Sequence, residues 1–350
     1  MKRIGIVTYH NADNLGAVLQ AYALHTVLDE VCGIYAEVID YRCDAVEATK
    51  YSKRGKGIKE QLKALIMNVY YLIKHIGFTR FRKRYLKKSR KVFTSQNIHT
   101  SLHDYDAFIT GSDQVWNLEC SGGDNTYFLE FVPENRKKYA YAASIGSYQF
   151  RENEVYHYSD LLARLDRISV REASAKVTLG QMGITDASVC PDPVMLLTRD
   201  RWLEIMPGCL CKQRYVLVYL ILPDEEIVVK AEEYARKHKC KVISNKVSPE
   251  FIFHNSPGAF LSWVYYAECV FTNSFHGTAM SLIFDKPLAA KVETAEGCVN
   301  NRIKEILELT GAEKCIMAEG NDPKKAIENC KITKMRLTGV SFLQEICMEI

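Results

Sequence analysis

Short apolar runs that end in polar turns and lead into helix-length stretches recur along almost the whole chain. The first unit of this pattern is "RIGIVT" (3–8), the turn "YHNADNLGA", the helical run "VLQAYALHTVLDE" and the run "AEVIDY". Further strand-like runs are "DAFIT", "KKYAYAASIG", "RISV" and "ASVC", the last passing into the loop "PDPVMLL". The pattern breaks at "PGCLCKQR" (207–214) and restarts with "YVLVYLI", "KVISNK", "CVFTN" and "PLAAK", with helical runs between them. Strands separated by helices form parallel sheets with helices on both faces. A chain of 350 residues exceeds one comfortable core. The expected fold is α/β: an N-terminal Rossmann-like domain over 1–207 and a second over 208–335. A C-terminal helix over 336–350 is expected to pack back on the first. Parallel sheets hold ligands at the carboxyl ends of their strands, and two such domains are expected to face a central cleft.

Composition is that of a globular protein, with 47% apolar and 25% charged residues. No apolar run reaches the roughly 20 residues that cross a bilayer, and "MKRIGIVTYHN" reads as a first strand rather than a signal peptide. A cytoplasmic protein is expected. Its twelve cysteines include no C-x-x-C and sit mostly in apolar runs, as reduced structural thiols do. Net charge is only +4, but residues 50–91 hold fifteen Lys and Arg against one acid, Glu60. That segment, expected as a basic helical insertion of the first domain, places an apolar band, "LIMNVYYLI", between cationic clusters. It suits peripheral docking on an anionic membrane, at the inner face, as well as a solvated basic helix packed on the N-terminal domain. The aliphatic band argues against nucleic acid.

Four strand ends carry polar turns rich in small or amide residues: "YHNADNLGA", "TGSDQVWN", "SVRE" and "TNSFHGT". Helix starts following such turns hold anions well. No G-x-G-x-x-G follows the first strand, and there is no phosphate loop, H-E-x-x-H, clustered His/Cys set or G-x-S-x-G. No metal and no bound cofactor are expected. Each turn also has a structural reading: His276 as a helix cap, Arg171 in an ion pair with Glu172 or Asp166, "GSD" as an Asx turn, and Asp192 as a turn residue between two prolines. One shared site at four strand ends is the more economical account.

Taken in order, "NLGAVLQ", "TGSDQVWN", "SVRE", "PDPVMLL" and "TNSFHGTAMSLIF" resemble the polysaccharide pyruvyl transferase family, over nearly the whole chain. The resemblance implies a GT-B-like pair of Rossmann-like domains. It also implies transfer of the pyruvyl group of phosphoenolpyruvate onto two hydroxyls of a glycan or lipid-linked sugar, giving a ketal and phosphate. His276 then matches the family's active-site histidine and Arg171 its donor-binding arginine, while Asp113 would orient or deprotonate the acceptor hydroxyl. Ser274, Gly277, Thr278 and Arg302 would bind the donor; Asn14, Gly16, Gly111, Ser112 and Asn117 would face the acceptor. Some members have R-L-H-G where this chain has Ser274-Phe275-His276-Gly277, so one cation is missing; Arg302 or Lys246 would replace it. Two other readings stay open on this scaffold: a nucleotide-sugar glycosyltransferase, and a non-catalytic sugar- or anion-binding protein.

Overall fold

The computed structural model describes residues 2–48, 58–292, 301–318, 322–325 and 329–350. It divides into two compact units, Met1–Tyr51 with Tyr85–Leu197 and Met335–Ile350, and Ser52–Arg84 with Thr198–Lys334. The first unit holds β1 (Arg3–Val7), β2 (Tyr35–Tyr41), β3 (Lys88–Phe93), β4 (Ala107–Thr110), β5 (Lys137–Ala143), β6 (Arg167–Val170) and β7 (Ser188–Val189). These form one sheet in the order β3-β2-β1-β4-β5-β6-β7, every pair parallel. The central strands β1 and β4 are mostly apolar, as strands buried on both faces are; Ile6 lies between Val38 of β2 and Ile109 of β4, all fully buried.

The second unit holds β8 (Tyr215–Tyr219), β9 (Lys241–Ser244), β10 (Cys269–Thr272) and β11 (Leu288–Ala290), again all parallel, in the order β11-β10-β8-β9. Both sheets are therefore doubly wound. The chain reverses direction across the sheet between β1 and β4 in the first unit and between β8 and β10 in the second. At such a point neighbouring strands send their following segments to opposite faces, leaving a crevice at their carboxyl ends. Those ends are followed by "YHNADNLGA" and "TGSDQVWN" in the first unit and by "LILPD" and "NSFHGT" in the second.

Three features differ from expectation. The strand β3 lies inside the stretch taken as helical insertion, because "KSRKVF" carries little apolar alternation. It is an edge strand, where cations are tolerated and discourage pairing with another chain. The basic segment also does not stay whole: Ser52–Arg84 groups with the second unit, and its residues 50–57 lie outside the described residues. Phe81, buried beside Gly258, and Gly77, against which the Asn255 carbonyl packs too closely for a β-carbon, hold the helix Ile58–Tyr85 against the second unit. The last helix, Asn329–Met348, begins earlier than the expected 336. Within the first unit, Arg336 donates to the Leu197 carbonyl at 3.2 Å, and Glu345 and Glu349 pair with Arg167.

Candidate active site

The turn Thr272–Thr278 in the second unit is explained almost residue by residue. Thr272, at the end of β10, donates its hydroxyl to the Tyr219 carbonyl of β8 at 2.5 Å and accepts from the Ser274 amide at 3.0 Å. Asn273 reaches across the same gap: its Oδ1 accepts from Ile221 N at 2.9 Å and its Nδ2 donates to Leu222 O at 3.0 Å. On the other side of β8, Asn245 makes the matching pair of bonds to Leu220, each 2.9 Å. The segment after β8 is thus gripped by two asparagines, leaving Ile221 and Leu222 more than half exposed. Ser274 caps the helix Phe275–Ile283, its hydroxyl accepting from Gly277 N at 3.2 Å. A β-carbon at Gly277 would come within 2.6 Å of Thr272 Oγ1, so this position requires glycine by close approach.

His276 does not supply the cap; Ser274 does. The imidazole stands half-buried on the first turn of the helix, edge-on to the Phe275 ring at 5.2 Å. Arg302, from the helix Asn301–Thr310, lies over that same ring at 5.9 Å from its centroid. The structure therefore brings a cation to the histidine turn from a distant part of the chain. Lys246 instead donates to the Ile221 carbonyl at 3.0 Å. One expectation is corrected: the Gly277 and Thr278 amides are not open to an anion, since they donate to Ser274 Oγ and Ser274 O. The Thr278 side chain is fully buried.

In the first unit the polar turns meet through a buried ion cluster. Arg171, on the turn after β6, donates from Nη1 to Asp192 Oδ2 at 2.9 Å and from Nε to Glu172 Oε2 at 3.5 Å. Asp192 also accepts from Ser112 Oγ at 3.3 Å and from Val194 N at 3.0 Å. Glu172 accepts from Ser144 Oγ at 2.7 Å and Gly146 N at 3.3 Å. The three ionic side chains are at most 2% exposed. Burial opposes the charge on Arg171, but Asp192 and Glu172 outweigh it and raise its pKa further. The expected free fork for a donor anion is corrected accordingly. Two guanidinium nitrogens serve the protein's own carboxylates, and two carboxylates to one guanidinium do not attract a further anion. The expected ion pair with Glu172 is formed, and it lies in the core.

The acceptor-side residues separate by exposure. Gly111 is buried, with Thr8 and Leu24 too close for a β-carbon to fit comfortably; Ser112 is buried between Thr8 and Asp192. Gly16 lies buried in the first turn of the helix Leu15–Glu30. Asn117 is buried and caps the short helix Leu118–Ser121. All four are buried, and Ser112 and Asn117 spend their side chains on the protein's own groups. Asn14 is exposed, though its side chain caps its helix. Asp113 is half-buried and holds φ at +81°, a left-handed conformation costly for a residue with a β-carbon. Its Oδ1 accepts from Gln114 N at 2.8 Å.

A second cluster, at the ends of β1, β2 and β3, went unread in the sequence. His10, fully buried, approaches Asp40 at 3.1 Å, and Asp40 also pairs with Lys88 and Arg42 at 2.8 Å each. Burial pushes the Asp40 carboxyl up, but the bonds from His10 and Lys88 prevail and hold it below the usual carboxylate range. "YHN" offers no local sign that His10 meets an aspartate thirty residues on.

Polar turns stand at the switch points of two doubly wound sheets, where α/β proteins of this class hold their ligands. The family model for polysaccharide pyruvyl transferase matches residues 14–290, and the chain belongs to that family. It is a transferase. No curated protein matches it. Among solved structures it is similar to the UDP-N-acetylglucosamine 2-epimerase from Rickettsia bellii, at 12% identity and a TM-score of 0.49, covering 100% of this chain and 96% of that one. It is also similar to the UDP-GlcNAc 2-epimerase from Methanocaldococcus jannaschii (11%, 0.44, covering 98% and 100%) and to the E. coli heptosyltransferase WaaC with ADP (13%, 0.38, covering 85% and 90%). At these scores the similarity carries no argument about substrate.

Two substitutions test this geometry. Arg171→Met leaves Asp192 and Glu172 buried without their cation and is expected to cost about 3–5 kcal/mol. Urea unfolding monitored by circular dichroism reads it, and an unchanged midpoint would show the cluster to be idle. Gly277→Ala forces the helix start away from Thr272, whose hydroxyl is fixed on both sides, and is expected to cost about 1–3 kcal/mol. A neutral effect would mean the turn has room that the contact at Thr272 denies.

Proposed function

We propose that the protein transfers the pyruvyl group of phosphoenolpyruvate onto two hydroxyls of a glycan or lipid-linked sugar in cell-surface polysaccharide synthesis. Membership of the family supports the reaction class. The observation that carries the site is that Ser274 takes the capping role, so capping does not account for His276. The enol carbon of the donor must gain a proton before a hydroxyl can attack the neighbouring carbon, and His276 is the proposed general acid. The first hydroxyl adds at that carbon, the C–O bond to phosphate breaks, and the second hydroxyl closes the ketal. The two hydroxyl protons end on the new methyl group and on phosphate.

Donor binding is assigned to the second unit. Arg302, over the Phe275 ring next to His276 in the chain, takes the place of the arginine that some members carry two residues before the histidine. Ser274 shapes that turn as a cap rather than as a ligand. Acceptor binding is assigned to the first unit, with Asp113 orienting or deprotonating the attacking hydroxyl and Asn14 beside the same switch point. Arg171 is proposed as a positioning residue that locks the strand ends on which Asp113 stands.

The test is phosphate release with phosphoenolpyruvate, against nucleotide-sugars as competing donors, in the presence of lipid-linked glycan acceptors. Phosphate release that depends on acceptor is expected from phosphoenolpyruvate alone. His276→Ala should lower turnover by about 10² or more, the scale of a lost general acid, while Arg302→Gln should raise the donor KM with a smaller change in kcat. Release of a nucleoside diphosphate instead would replace this reading with a glycosyltransferase. A folded His276→Ala variant with normal turnover would remove the histidine from the chemistry.

A further inference from the structure

The helix Ile58–Tyr85 divides its apolar residues between two faces. Phe78 and Phe81 are buried, Phe81 beside Gly258, and the Tyr70 hydroxyl accepts from Asn255 Nδ2 at 3.1 Å on the same side. On the opposite side Val69, Leu72 and Ile76 are 51%, 58% and 41% exposed. Arg80 and Lys83, both exposed, continue that line. Positions 69, 72, 76, 80 and 83 follow the three- and four-residue spacing that keeps side chains on one helix face. The result is one strip about 20 Å long, apolar over its first two turns and cationic over its last. No Asp or Glu occurs anywhere from residue 61 to 91.

We infer that this strip docks the enzyme on an anionic lipid surface. Aliphatic side chains enter the boundary between headgroups and acyl chains, while the cations stay with the headgroups. No described helix is long and apolar enough to cross a membrane, so the contact is peripheral. A second copy of the chain fits less well, since two such strips face to face would oppose cations with no acid to meet them. Nucleic acid would leave the aliphatic side chains unused, because bases stack on aromatic rings. The inference stands on the strip alone and holds whichever donor the enzyme uses.

The experiment is co-sedimentation of the full chain with vesicles of phosphatidylglycerol and phosphatidylcholine in equal parts, and with phosphatidylcholine alone. Binding to the anionic vesicles is expected at about 0.05 M salt and should weaken at about 0.5 M, as the Debye length shortens. Val69→Asn, Leu72→Asn and Ile76→Asn together should lower the partition coefficient at least about tenfold, because the apolar contact is gone. Arg80→Gln with Lys83→Gln should instead abolish the preference for the anionic vesicles. These side chains are exposed, so unchanged circular dichroism and melting are expected for both variants. Equal binding to both vesicle types, or undiminished binding by the triple variant, overturns the inference. A wild-type dimer that the triple variant converts to monomer, without vesicle binding by either, overturns it in favour of a second copy.

Discussion

Where a parallel strand ends, its last backbone N–H and C=O groups lose their ladder partners, and a buried orphan of either kind is costly. In this protein, side chains meet that constraint at both switch points. Asn273 and Asn245 mimic a neighbouring strand on either side of the segment after β8. In the first unit Asp192, Arg171 and Glu172 tie the segments after β4, β5, β6 and β7 together, beside a few backbone bonds such as Ser144 N to Asp113 O. Amides and ions suit this work because each offers two or more bonding directions in a small volume.

The same arrangement separates structural from chemical residues. A turn made entirely of ligand-binding groups would have nothing to hold it, and here the supporting roles are filled by Thr272, Asn273, Ser274 and Gly277. In the first unit Ser112, Asn117 and the ion cluster do the supporting, while Asp113 keeps a strained backbone and a half-buried carboxylate. Strain of this kind persists where the surroundings over-determine it, which is where reactive groups are commonly presented.

Periodicity made the fold legible. Buried parallel strands are short apolar runs, and "YVLVY", "CVFT" and "AFIT" admit few other readings. The edge strand β3 escaped because an edge can be cationic and pairs on one side only. Within the site, the placement of His276 on a helix start was readable from "TNSFHG", since glycine and a cap residue flank it. The commitments of Arg171 were not. Its partner Asp192 lies twenty-one residues away and is brought near by strand order, which no local pattern encodes. Burial decided the acceptor residues likewise: "GSD" shows three polar-turn residues, but only the tertiary packing distinguishes buried Ser112 from half-buried Asp113.

The central claim is that phosphoenolpyruvate binds at the turn bearing His276. With nine histidines in the chain, carbon-13 labelling of histidine gives a spectrum simple enough to assign His276 by comparison with the His276→Gln variant. Titration with phosphoenolpyruvate should move the His276 resonance to saturation, at lower concentration in the wild type than in Arg302→Gln. A His276 resonance that ignores phosphoenolpyruvate and shifts with a nucleotide-sugar would contradict the account.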